Sequence, residues 1–224
     1  MHPITELEFA IDEWLEKRGF RIEKSKDIGS IADNFDILNV HPWFPARAYS
    51  DLVYLNDSYI FNKHNTGQIY NLLSTYGSPC KLALFGRTYR KTKESFCTDQ
   101  ITFQYDGLIV NKTISLNCGK ELIEELINSV MDISNTRTVY KFFPYADPGF
   151  LLQGLCPDCD GAGCYRCDGK GYYNICAYGI LHPNIISNAL GNYDQDLIGF
   201  SFCLNLSKIA LLKYNIFDIH DLFY

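Results

Sequence analysis

The chain has 224 residues, 47% of them hydrophobic, and a net charge of −6; this is length for one large domain with a sizeable core, and the acidic balance argues against a broad nucleic-acid-binding face. No run of 18 apolar residues predicts a membrane span, and MHPITELEFAIDEW lacks the basic and apolar regions of a secretory signal. Nine cysteines, five of them scattered, suit a reducing cytoplasm with one metal site better than a disulfide framework. In chain order, residues 5–18 read as a helix with Ile4, Leu7, Ile11, Trp14 and Leu15 on one face, Thr5 and Glu8 as a capping box and Gly19 as its end. DLVYL (51–55) and SYIFN (58–62) read as a hairpin turning at Asn56-Asp57. Two longer strands, 80–90 and 101–110, are joined by a polar loop. A second amphipathic helix is expected over 119–131, with Leu122, Ile123, Leu126, Ile127 and Val130 inward. Strands follow at 172–181 and 197–206, then a helix from Ser207 to about Tyr214 and a short one near 218–223. Helices flanking mostly antiparallel strands give an α+β domain. The 16 tyrosines and 15 phenylalanines add the expectation of aromatic-lined cavities.

The segment CPDCDGAGCYRC places Cys156, Cys159, Cys164 and Cys167 in two C-x-x-C pairs. Each pair is a tight knuckle presenting two sulfurs, and four thiolates close the tetrahedral shell of a structural Zn²⁺, leaving no open position for catalysis. Glycines at 161, 163, 169 and 171 permit the positive φ angles that knuckles need. Iron in a rubredoxin-like site is the lesser alternative, and free or disulfide-paired cysteines the alternative without metal. The repeat CDGAGC…CDGKGY resembles half of the zinc module of J-domain chaperones over some eighteen residues. That likeness speaks for a zinc loop and not for chaperone activity.

The segments around this loop resemble, in order, the catalytic domain of the bacterial phenylalanyl-tRNA synthetase α subunit. HPITELEFAIDEWLEKRGF is similar to the family's opening helix. NFDILNVHPWFPAR is similar to its motif 1 region, FGRTYR and FQYDGLIV to the two strands of motif 2, FFPYADP to its YFPFTEP. YGILHPNI and GFSFCLNLSKIALLKYNIFDIHDLF are similar to its CGMVHPNV and motif 3 end. The resemblance covers 1–224 as one class II synthetase-like domain, an antiparallel sheet flanked by helices, with 154–172 as an inserted zinc loop in a hairpin. It implies dimerisation through motif 1 and a set of site residues. Arg90 would grip the α-phosphate of ATP and the adenylate carbonyl. Gln104 and Asp106, alternating on one strand face, would hold the substrate's α-ammonium, with Gln68 as a further amino-acid contact; Lys63, His64 and Asn65 precede it without an assigned ligand. Phe143 and Tyr145 would pack on the substrate side chain, with Ser201 beneath it, and the hydroxyls at 145 and 201 argue against phenylalanine itself as the substrate.

The departures from the family lie at its nucleotide end. GMGMER of motif 3 reads CLNLSK (203–208) here, so Lys208 stands for the arginine along the triphosphate, a point charge for a planar fork. Cys203 and Asn205 replace glycines, Ser207 and Asn174 replace glutamates, and RKTKES follows Arg90 without the usual acid. Mg²⁺ prefers carboxylate oxygens, so ATP and Mg²⁺ are doubtful cofactors while Zn²⁺ is expected as a structural one. The family's tRNA-reaching helical arm has no counterpart in the sequence, and RTYRKTK (87–93) is the one basic run. The expected protein is an α-subunit paralogue that binds an amino acid or aminoacyl group. It would activate or transfer that group outside bulk translation, with a carrier protein or tRNA as acceptor. The alternative is a non-catalytic amino-acid-binding regulatory subunit, and a working translational synthetase subunit is disfavoured.

Overall fold

The computed structural model describes residues 1–224 apart from Ile133, Asn192 and Tyr224. Helix α1 (Pro3–Glu16) buries Ile4, Leu7, Ile11 and Leu15, one residue every three or four. Its N-cap is His2, whose Nδ1 accepts from Ile4 N at 3.2 Å, with Pro3 opening the first turn. The expected Thr5–Glu8 capping box is therefore corrected: Thr5 already lies inside the helix. Strand β1 (Arg21–Lys24) follows, then β2 (Ile28–Ser30). The hairpin expected over 51–62 forms in shortened shape: Tyr49–Asp51 is a 3-10 turn, but Leu55 N donates to Tyr59 O (2.9 Å), Phe61 N to Val53 O (2.9 Å) and Tyr54 bridges Ile60, while β3 (Tyr59–Phe61) pairs with β2 on its other side. The turn itself forms, because Asn56 Oδ1 accepts from Ser58 N and Tyr59 N.

Helix α2 (Thr66–Tyr76), not expected from the sequence, comes next, ending at Gly77 with φ 71°. The long strands β4 (Cys80–Tyr89) and β5 (Ile101–Asn111) lie close to their expected bounds. Helix α3 (Leu116–Val130) begins earlier than expected because Ser115 Oγ accepts from Cys118 N and caps it. Strands β6 (Thr136–Tyr140) and β7 (Ala146–Leu155) were not expected, whereas β8 (Tyr172–Leu181) has the expected bounds. Helix α4 (Pro183–Leu190), strand β9 (Ile198–Asn205), helix α5 (Leu206–Lys213) and a 3-10 turn at Ile219–Phe223 complete the fold.

The large sheet has seven strands in the order β1-β4-β5-β9-β8-β7-β6, antiparallel except for β1 beside β4. Its two faces carry separate cores. One packs α1, α3 and α5 against Tyr105 and Ile109 of β5. The other packs α2 and α4 against Leu108 and Val110. Strand side chains alternate between faces, so Gln104 and Asp106 share the α2 face with Leu108. That face holds two polar groups where continued alternation would bury two more aliphatic side chains, each worth about 1.5–3 kcal/mol. The cysteine-rich segment is the connection between β7 and β8.

Candidate active site

A cavity of about 640 Å³ opens on the α2 face, lined by Lys63, His64, Thr66, Arg90, Gln104, Phe143, Tyr145, Cys203 and their neighbours. Behind the lining residues Thr66 and Cys203, Asp106 is 0% exposed. Thr66 Oγ1 donates to Asp106 Oδ1 at 2.7 Å, while Oδ2 is buried with no hydrogen-bond partner. Burial, offset in part by Thr66, Cys203 and Arg90, pushes the carboxyl up to about 7. Gln104 is 5% exposed, and its Oε1 accepts from Cys203 Sγ at 3.6 Å. Asn65 beside Thr66 has both side-chain polar atoms buried without a partner. A lone buried carboxylate is costly unless it takes up a proton or a cation meets it.

The opposite rim is cationic. Arg90 donates through Nε and Nη2 to Lys63 O (3.3 and 3.1 Å), and the Lys63 ammonium, 3.5 Å from Asp51, donates to Ala46 O at 2.8 Å. Burial, then the Arg90 and Lys63 charges, keep His64 well below the ordinary imidazole range, so it is neutral. Between the walls, Phe143 and Tyr145 stack with ring centroids 5.3 Å apart. Beneath them the space narrows to about 10 Å³, room for about one water, lined by Thr66, Tyr145, Ser201 and Cys203 among others. Tyr70 Oη donates to Ser201 Oγ at 3.4 Å there, giving this floor two hydroxyls. Arg90, Asn174 and Asn205 also line a second cavity of about 220 Å³, whose far wall holds Lys208 and, from the cysteine loop, Cys167 and Lys170.

The sulfurs of Cys156, Cys159, Cys164 and Cys167 all lie within 4.8 Å of one another. Pairs stand at 3.9 Å (Cys156–Cys164) and 3.8 Å (Cys159–Cys167 and Cys164–Cys167). Four thiolates at 2.3 Å from a tetrahedral ion stand about 3.8 Å apart, so the donor set fits zinc and these three spacings match it. Backbone N–H groups of Cys164 and Gly171 point at Cys167 Sγ (3.2 and 3.1 Å), and Gly163 N at Cys159 Sγ (3.3 Å). Burial raises the Cys167 thiol, but these donors and the neighbouring thiols outweigh it and bring the group down to about 7, ready to ligate. Gly163 (φ 89°) and Gly171 (φ 72°) have no room for a side chain: a Cβ there would stand 2.5 and 2.3 Å from the carbonyl oxygens of Gly169 and Gly161.

Residues 1–224 match the family described as tRNA synthetases class II core domain (F). The chain belongs to this class II tRNA synthetase family. Among its relatives is the "Phenylalanine--tRNA ligase alpha subunit" of Francisella philomiragia, 29% identical over 230 residues, covering 100% of this chain and 66% of the relative. The same protein of Francisella tularensis subsp. tularensis gives the same identity and coverage. The chain thus spans just under two thirds of these relatives' length. Among solved structures, the pyrrolysyl-tRNA synthetase of Desulfitobacterium hafniense superposes with a TM-score of 0.72 at 12% identity, over 98% of this chain and 72% of that one. At that identity the likeness concerns the fold.

Within this class II domain the structure brings Arg90, Gln104, Phe143, Tyr145 and Ser201 to one cavity system, with Asp106 buried behind Thr66 and Cys203. Gln68 stands apart, two residues along α2 from Thr66. Its amide exchanges two hydrogen bonds with the backbone of Lys26 (Lys26 N to Oε1, 2.9 Å; Nε2 to Lys26 O, 3.0 Å), and it lines a separate groove. The helix residue that meets Asp106 is Thr66, which sequence reasoning missed; the Asn65-Thr66 start of an unexpected helix was the available signal. Lys208 lines the second cavity with Arg90; its ammonium sits 5.8 Å from the centre of the Tyr173 ring, and burial holds it below the ordinary lysine range. Two motif 3 departures have local causes. Asn205 caps α5 by accepting from Lys208 N at 3.0 Å, and Ser207 Oγ accepts from Phe103 N at 3.0 Å. Asn174 accepts from Gln153 Nε2 at 2.7 Å.

Proposed function

We propose that this class II synthetase-like domain binds a free amino acid as a zwitterion and activates or transfers it outside bulk translation, to a carrier protein or within a biosynthetic pathway. The observation that carries the reading is the buried, unpartnered Oδ2 of Asp106. An α-ammonium between Asp106 and Gln104 supplies the missing donors and the missing charge. The Arg90–Lys63 rim then faces the α-carboxylate across neutral His64. The side chain lies toward Phe143 and Tyr145, above a narrow floor whose Tyr70 and Ser201 hydroxyls favour a hydrogen-bonding group over a bare phenyl ring. Zinc in the cysteine loop is structural in this reading, held by Cys156, Cys159, Cys164 and Cys167. ATP in the second cavity supplies the activating chemistry, and a homodimer through the motif 1 segment is the expected assembly.

Amino-acid-dependent ATP–pyrophosphate exchange tests the enzymatic step. Exchange with at least one amino acid supports it, with loss of about a hundredfold expected on Arg90→Ala. No exchange with any amino acid, beside measurable amino-acid binding, favours the second reading, a non-catalytic amino-acid-binding regulatory subunit. The observation on that side is Lys208, turned toward Tyr173 in a cavity that offers Asn174 and Asn205 and few carboxylates for Mg²⁺.

A further inference from the structure

The second cavity lies between the segment joining β4 to β5 and the cysteine loop. The two are tied together by one carboxylate. Asp168, directly after the last cysteine, is in the left-handed conformation (φ 53°). Its Oδ2 accepts from Ser95 Oγ at 3.0 Å, Cys97 Sγ at 3.2 Å and Thr98 Oγ1 at 3.2 Å, all on the β4–β5 segment. The loop is anchored on its far side as well. Arg166, 4% exposed, donates to Asp158 (2.7 Å), Asn215 (3.0 Å) and Ile216 O (2.8 Å). Tyr165 packs with Phe96 of the β4–β5 segment (5.6 Å) and with Phe217 (5.8 Å). Two residues beyond Asp168, Lys170 lines the cavity with Arg90 and Lys208. The carboxylate among the lining residues, Asp99, is engaged by Ile101 N (2.8 Å) and faces His220 (3.5 Å). With Asp168 3.6 Å from the Lys170 ammonium, three cations face two carboxylates, so the enclosure is net cationic, and one of its three cations comes from the metal loop.

We propose that the cysteine loop is a working wall of this cavity: Asp168 is a positioning residue that holds the segment after Arg90, and Lys170 joins Arg90 and Lys208 in receiving a polyphosphate. The inference rests on the amino-acid-activating reading above and adds to it where the lost phosphate contacts went. Lining one enclosure, a fork, a half-buried ammonium and an exposed ammonium provide the charge that a triphosphate needs. Metal in the four thiolates fixes the knuckle from which Asp168 and Lys170 project, so loading the loop orders the cavity.

The test uses the metal-loaded full chain, titrated calorimetrically with ATP, with inorganic tripolyphosphate and with amino acids. Lys170→Ala, at an exposed position, is expected to weaken ATP and tripolyphosphate at least tenfold and to leave amino-acid affinity within twofold. Asp168→Ala, or chelation of the metal, is expected to raise amide hydrogen exchange across residues 91–100. The inference is overturned if Lys170→Ala binds both polyphosphates as the wild type does, or if exchange over 91–100 is unchanged in both conditions. Wild-type protein that binds an amino acid but neither polyphosphate overturns it too, leaving the amino-acid reading intact. Protein that binds polyphosphate through Lys170 but no amino acid supports it and removes that reading instead.

Discussion

Asp106 carries two opposite stability consequences, because the same burial that disfavours its charge prepares it for a ligand. Its carboxyl titrates near 7 in the fold, against 3.8 ordinarily. A folded-state pKa raised in this way favours the fold below about pH 4, and that contribution is lost as pH rises through 7. Asp106→Asn removes the titration, so the variant should gain on the ligand-free wild type as pH rises. The gain is bounded at about 4 kcal/mol for three units. Urea unfolding midpoints at pH 5 and pH 8 check this: the gap between variant and wild type should widen at pH 8, and an equal gap at both pH values contradicts the assignment. Amino-acid affinity runs the other way, falling about tenfold per pH unit below 7 as the carboxylate protonates. Asp106 and Gln104 were legible in the sequence because strand alternation puts i and i+2 on one face. Thr66 was not, because a helix that begins at a polar Asn-Thr-Gly-Gln stretch gives no apolar period until Ile69 and Tyr70, and the same hidden helix turned Gln68 away.

At the scale of elements, apolar runs of ten residues announced β4, β5, β8 and β9, and all four form next to one another in the sheet. Strands β6 and β7 escaped because TRTVY is polar and ADPGFLLQGL begins with turn-forming residues. The 51–62 hairpin forms only over 53–61, and β3 gains a second partner in β2, which no local pattern in the sequence indicates. The cysteine loop was the most legible element of all, since spacing and glycines alone specify a knuckle pair. Its loaded form should contain about one zinc per chain by elemental analysis. Chelation should lower the thermal midpoint by several degrees, as loss of a structural metal from a small loop does. A midpoint indifferent to chelators would mean that the four sulfurs hold no ion that the fold depends on.

At the scale of the whole molecule, the sheet separates two tasks. The face packed by α1, α3 and α5 is an apolar core. The other carries aliphatic residues such as Leu82, Leu84, Leu108 and Val110, and a polar hollow where Gln104 and Asp106 interrupt the alternation. The hollow continues past Arg90 into a second chamber lined in part by the cysteine loop. The order of motifs made the class II architecture readable end to end, while the loop's role as a wall depended on contacts between residues more than seventy positions apart, such as Ser95 with Asp168. Calorimetric titration of wild type and Asp106→Asn with a panel of free amino acids at pH 8 tests the central claim most directly. Saturable binding of at least one amino acid to the wild type, weakened at least a hundredfold in the variant, is the predicted result. Equal affinity in the two proteins, or no binding of any amino acid to the wild type, would contradict it.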